Sequence, residues 1–178
     1  MPILPDYDSQ TFIDEYKLRK FVDIPFEEGY YVQAFSVLEC FIVAYFKQIA
    51  KWKGIKLPKV GKKQKQINVQ DALNVLNKLG LIDDALKKDI EEFRGIRGDF
   101  VHNPEHEIYR HILETNETRK NQGLGIPMAQ AVEEWETTVA NIKKDLDLGK
   151  KCCFELNKIF FDVCPIKPER YYEHLQDV

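Results

Sequence analysis

A chain of 178 residues, 44% hydrophobic and 31% charged, is long enough for one well-packed domain and too short for two comfortable ones, and that balance excludes wholesale disorder. The formal charge of −3 excludes a protein that coats nucleic acid by bulk electrostatics, so any nucleic-acid site has to be local. The apolar run "FSVLECFIVAYF" falls short of the roughly 20 residues of a membrane span, and "MPILPDYDSQ" lacks the basic head and apolar centre of a signal peptide, so a cytoplasmic location away from membranes is expected.

In chain order, residues 9 to 22, "SQTFIDEYKLRKFV", place Phe12, Tyr16 and Phe21 among charges, as a first helix. After Pro25, from Glu27 to Lys53, apolar residues at Tyr31, Ala34, Phe35, Val37, Leu38, Phe41, Ile42, Tyr45, Phe46 and Ile49 cover so much of the surface that this helix should be the hub of the core. "GIKLPKVGKKQKQ" then carries glycine, proline and the lysines 56, 59, 62, 63 and 65 without periodicity, a solvated basic loop. Asn68 caps a helix from Val69 to Leu79, with Asp71 in the first turn and Gly80 as the stop. Another helix starts at Asp83 or Asp84 and runs into "FRGIRGDFVHNPEH". Asn103 and Pro104 restart a helix, "ETNETRKNQGLGIP" is a polar loop, and a long helix from Pro127 lasts until Cys164-Pro165, leaving 165–178 as a tail. No strand or internal repeat is evident. The expectation is a single all-α domain, a bundle of about five to six helices with a long C-terminal one.

The costly segment is 93–106. Turned by about 100° per residue, Leu86, Ile90, Phe93, Ile96 and Phe100 share one face, which must point into the core. Arg97 falls inside that apolar arc and Arg94 at its flank. An inward arginine keeps its charge and therefore needs a carboxylate, a neighbouring subunit or a phosphate. Gly95 and Gly98 each cost about 1 kcal/mol relative to alanine inside a helix and stand on the side away from the core. Either a tight helix crossing, at a dimer interface for instance, or the approach of a substrate would account for them, and the two are compatible if the substrate site is the interface. His102 follows at the end of the helix pattern.

Arg97-x4-His102 at a helix end, preceded by "LGLIDDALKKDIEEFRGI", resembles the signature of HEPN domains, the higher-eukaryote and prokaryote nucleotide-binding helical family. "EGYYVQAFSVLECFIVAYF" resembles that family's apolar helix with an internal acidic residue, here Glu39, and Leu79-Gly80-Leu81-Ile82 resembles members related to the mannitol operon repressor. The likeness covers about residues 27 to 104. The position after Arg97, frequently polar in the nuclease members, is Gly98, followed by Asp99.

In catalytic members the resemblance implies a metal-independent endoribonuclease of toxin or defence type, with two copies of the motif facing each other across a homodimer and no cofactor. Arg97 and His102 are then the catalytic candidates, and Arg94, Gly98, Asp99 and Asn103 the substrate-contacting ones. Histidine can move the proton of a ribose 2′-hydroxyl or of the leaving oxygen, while arginine holds the phosphoryl oxygens in a bidentate fork. On one straight helix Arg97 and His102 would lie about 140° apart, so a helix break at Asn103 or a second subunit has to bring them together. The resemblance also implies restraint by a nucleotidyltransferase-like antitoxin partner. The competing reading is a non-catalytic module of the same type that binds a nucleotide or a protein and regulates.

Other sites are weaker. "HNPEH" matches the His-x-x-Glu-His pattern of some zinc peptidases through His102, Glu105 and His106, but Pro104 is better explained as the start of a new helix, so no metal is expected. Lys59, Lys62, Lys63 and Lys65 can touch phosphates, but their loop has no aromatic residue for base stacking and no second glycine for a phosphate loop. Of the four cysteines, Cys152 and Cys153 are adjacent, Cys40 lies in an apolar helix pattern and no CxxC occurs, so all four read as small hydrophobes or bystanders.

Overall fold

A computed structural model describes residues 15–61, 66–102 and 128–164, apart from the side chains at 15, 99–102, 128–132, 134, 135 and 138. The protein is all-α. Its elements are α1 (Glu15–Leu18), a π-helical turn (Arg19–Asp23), α2 (Ile24–Glu27), α3 (Tyr31–Trp52), α4 (Val69–Lys78), α5 (Asp84–His102) and α6 (Met128–Val163). No strand occurs among the described residues, where the one isolated bridge pairs Lys59 with Ile67.

Local chemistry sets the boundaries. The Asn68 side chain accepts the Asp71 N–H at 3.2 Å and that of Asp83 accepts the Leu86 N–H at 2.7 Å, each satisfying an N–H that a helix start would otherwise orphan. At the other end, α2, α3 and α4 close in the same way. Gly29, Gly54 and Gly80 take φ of 86°, 67° and 70°. The glycine N–H of each and that of the next residue turn back to carbonyls of the last helical turn, as in Tyr30 N–H to Pro25 O at 2.7 Å, Ile55 N–H to Ala50 O at 2.8 Å and Leu81 N–H to Leu76 O at 3.0 Å. This is the Schellman closure, which needs a left-handed residue that glycine supplies without strain. Gly29 also corrects the start expected for the hub helix: the chain reverses there and α3 begins at Tyr31, not Glu27.

Contacts divide the described chain into two compact units. One gathers Glu39–Ile90 with the chain from Lys151 onward, and the other gathers Glu15–Leu38 with Glu91–Lys150. Long helices α3, α5 and α6 each contribute residues to both. In the first unit Ile42, Tyr45, Phe46 and Ile49 of α3 are fully buried, as are Leu73 and Leu76 of α4, Ile82 and Ile90, and Leu156 of α6. Tyr45 donates its hydroxyl proton to Asn157 Oδ1 at 2.8 Å, so the ring buries its area without stranding a polar atom. Lys151 bonds Asp89 at 2.6 Å, which raises the ammonium pKa above its usual range.

The second unit is built on Leu18, Val22, Phe26, Tyr31, Phe35, Leu38, Phe93, Ile142 and Leu146, all buried. Phe35 and Phe93 stack with centroids 5.7 Å apart and planes 9° from parallel. Asp23 of the π turn is ion-paired with Lys150 of α6. In the first helical segment the core side is held by Leu18, Val22 and Phe26, while Tyr16 and Phe21 stand in solvent, 68% and 41% exposed.

The hub expected of α3 is there, since the apolar residues named for it from Tyr31 to Ile49 are buried, with Val37 half-buried. One expectation needs correction. By length and composition α3 is apolar enough to cross a membrane, because the small and polar residues flanking "FSVLECFIVAYF" do not lower its hydropathy below that mark.

Candidate functional site

The site built from the motif rests on α5, which is helical without interruption from Asp84 through His102. Its inner face is fixed by Leu86, Ile90 and Phe93, all buried, with Ile96 half-buried in the same row. Inside that row, between the positions of Leu86 and Ile90 on the wheel, Arg97 is half-buried, with its Nε shielded from solvent. Arg94, about 60° further round, is half-buried at the edge. The periodicity thus places both arginines as expected.

The helix continues unbroken through His102, and the positions of Arg97 and His102 remain about 140° apart around its axis. Asn103, where a break was expected to bring the two together if a second subunit does not, lies outside the described residues. His102 shares its side of α5 with Gly95 and Gly98 instead. From Arg94 the positions of Gly98, His102 and Gly95 lie about 40°, 80° and 100° around the helix.

Those glycines differ from expectation in one respect. A Cβ built on either Gly95 or Gly98 meets no described atom within 4 Å, so no helix of the same chain crosses them among the described residues. The close approach in this unit is at Gly149 of α6, where a Cβ would lie 2.3 Å from Cε2 of Phe93. That contact was missed in the sequence, where "DLDLGKK" offers only a glycine in a helix interior as its signal. It matters to the site because Phe93 is the residue next to Arg94, and its ring, held between Phe35 and Gly149, sets the rotation of α5.

The remaining candidates are partly described. Asp99 is helical. Lys59 is exposed beside the Val60 N–H to Gln66 O bond of 3.0 Å and the Asn68 N–H to Pro58 O bond of 2.9 Å, which draw the ends of the basic loop together. Lys62, Lys63 and Lys65 lie outside the described residues, as do Pro104, Glu105 and His106 of the peptidase-like pattern. Among the described residues no three of His, Cys, Asp and Glu are grouped to hold a metal ion. Cys152, Cys153 and Cys164 are buried and Cys40 is exposed. Burial drives the Cys153 thiol well above its ordinary pKa, so it behaves as a small hydrophobe and not as a nucleophile. Glu39 is half-buried on α3.

No family model matches the chain, and comparison with curated proteins and with solved structures gave no match.

Proposed function

We propose that the chain is a HEPN-like metal-independent endoribonuclease of toxin or defence type, whose Arg97 and His102 act in a composite site formed with a second copy. The observation that carries this reading is a half-buried Arg97 on a helix that runs unbroken through His102. A guanidinium is a planar fork whose geometry fits phosphoryl oxygens. The register of one straight helix sets it apart from its own histidine, so a second copy supplies the complement. Among the described residues nothing lies within 4 Å of a Cβ built at Gly95 or Gly98, which suits the close approach of backbone or ribose. Dimerisation and restraint by a nucleotidyltransferase-like protein belong to the same proposal.

The chemistry is transesterification. The ribose 2′-oxygen attacks the adjacent phosphorus and the 5′-oxygen leaves, giving a 2′,3′-cyclic phosphate and a 5′-hydroxyl end. Imidazole takes the 2′-hydroxyl proton or gives one to the leaving oxygen, while arginine bears the charge growing on the non-bridging oxygens. Purified wild type should cut RNA in the presence of chelator and leave the cyclic end, and His102→Ala should abolish cleavage. Arg97→Lys should retain the fold and lose most of the rate, since a point charge replaces the fork. If wild type cuts no RNA, or His102→Ala cuts equally fast, the nuclease reading fails and the regulatory binding module replaces it.

A further inference from the structure

Away from α5, the π-helical turn gives the surface a feature that the sequence spacing hides. In an α-helix residues five apart lie about 140° apart around the axis, and the wider i to i+5 turn of a π-helix narrows that separation. Tyr16 and Phe21 are five apart. With the π turn Arg19–Asp23 following α1, both rings stand in solvent around a single ammonium. Lys20 Nζ lies 3.4 Å from Tyr16 Oη, 5.6 Å from that ring's centroid and 5.3 Å from the Phe21 centroid. Neither ring is needed by the core, which takes Leu18, Val22 and Phe26 from the same segment. Arg19 and Glu27 pair with each other alongside.

We propose that Tyr16, Lys20 and Phe21 form a stacking platform for the bases of single-stranded RNA, with the Lys20 ammonium meeting the phosphate between two stacked bases. The substrate class rests on the ribonuclease reading, but binding can be tested without cleavage. Charge complementarity favours a nucleotide occupant. Two exposed rings sharing one cation suit bases and the phosphate that joins them, a pattern that an apolar protein face does not require. The formal charge of −3 gives no bulk attraction for RNA, so a site has to act locally, and stacking adds a contribution independent of salt. The platform also provides the aromatic surface that the lysine-rich loop lacks.

The probe is a labelled, mixed-sequence, single-stranded 2′-O-methyl RNA, which has no attacking hydroxyl and cannot be cut, compared with the same sequence as a duplex by fluorescence anisotropy. Tyr16→Ala/Phe21→Ala should weaken single-strand binding by about tenfold or more with an unchanged circular dichroism spectrum. Tyr16→Phe should keep wild-type affinity. Lys20→Gln should flatten the slope of log K against log salt by about 0.7. Phe21→Trp guards against misfolding of the alanine variant, since stacking of a base on the introduced indole should quench emission beyond that of the parent protein.

Equal affinity of wild type and the double alanine variant, tighter binding of the duplex, or no binding at all would overturn the platform. So would an oligomeric state that shifts when the rings are removed, which would assign the patch to a second copy. Intact binding with no cleavage by wild type of ordinary RNA would leave the platform standing and remove the nuclease.

Discussion

Gly149→Ala tests the packing that orients the arginine-bearing helix. A methyl group there would lie 2.3, 2.7 and 2.8 Å from Cε2, Cζ and Cδ2 of Phe93, all well inside the usual carbon contact of about 3.5–4.0 Å and the nearest by more than 1 Å. The obstacle is the far edge of a side chain, which is harmless when the side chain can swing. Here it cannot swing freely, since Phe93 is fully buried and stacked on Phe35, itself fully buried. Overpacking of this kind costs about 1–3 kcal/mol, and the depth of the overlap points to the upper half of that range. Alanine returns up to about 1 kcal/mol of helix propensity, leaving a net loss of about 1–2 kcal/mol. For a chain of this size each kcal/mol is worth about 2–4 °C in Tm. The same exchange at Gly95 or Gly98, where a Cβ meets nothing described within 4 Å, should instead gain up to about 1 kcal/mol. Urea unfolding followed by circular dichroism would measure all three, and a Phe93→Leu partner in a double-mutant cycle would tie the loss to the ring. A Gly149→Ala protein as stable as wild type would refute the reasoning.

Burial of the Cys153 thiol makes stability depend on alkali. Its pKa is raised in the folded state, so above the ordinary thiol pKa of about 8.5 the unfolded chain sheds a proton that the fold retains, and stability falls by up to about 1.4 kcal/mol per pH unit until the folded pKa is reached. Denaturant midpoints between pH 7 and 10 should show that fall and Cys153→Ala should lessen it, while an identical slope in the variant would count against a buried thiol. Tyr45→Phe removes the 2.8 Å bond to Asn157 and should cost about 0.5–1.5 kcal/mol in urea unfolding; no loss would mean that water satisfies the amide equally well. Neutralising Lys59, Lys62, Lys63 and Lys65 should weaken RNA binding and reduce its salt dependence if they touch phosphates, and an unchanged slope would make the loop a solvated connection.

Much of the fold was legible because its signals are local. Asn68 and Asp83 announce helix starts through side-chain oxygens that reach an N–H three residues on, and Gly80 announces a stop through a backbone angle few other residues adopt. The apolar sweep of α3 identifies it as core whatever packs against it, and the wheel placed Arg97 half inside because α5 is an uninterrupted helix with one buried row. By itself, then, the sequence determined the helical class, most boundaries and the inward lean of the arginine. Only the tertiary structure decided which glycine is crowded, because that depends on which ring arrives from a helix some fifty residues away in the chain: Phe93 arrives at Gly149 and not at Gly95 or Gly98. The exposure of Tyr16 and Phe21 was likewise decided beyond the sequence pattern. A helical wheel assumes a constant turn angle, and the π turn, closed against the core by Val22 and tied to α6 through Asp23 and Lys150, changes that angle between the two rings.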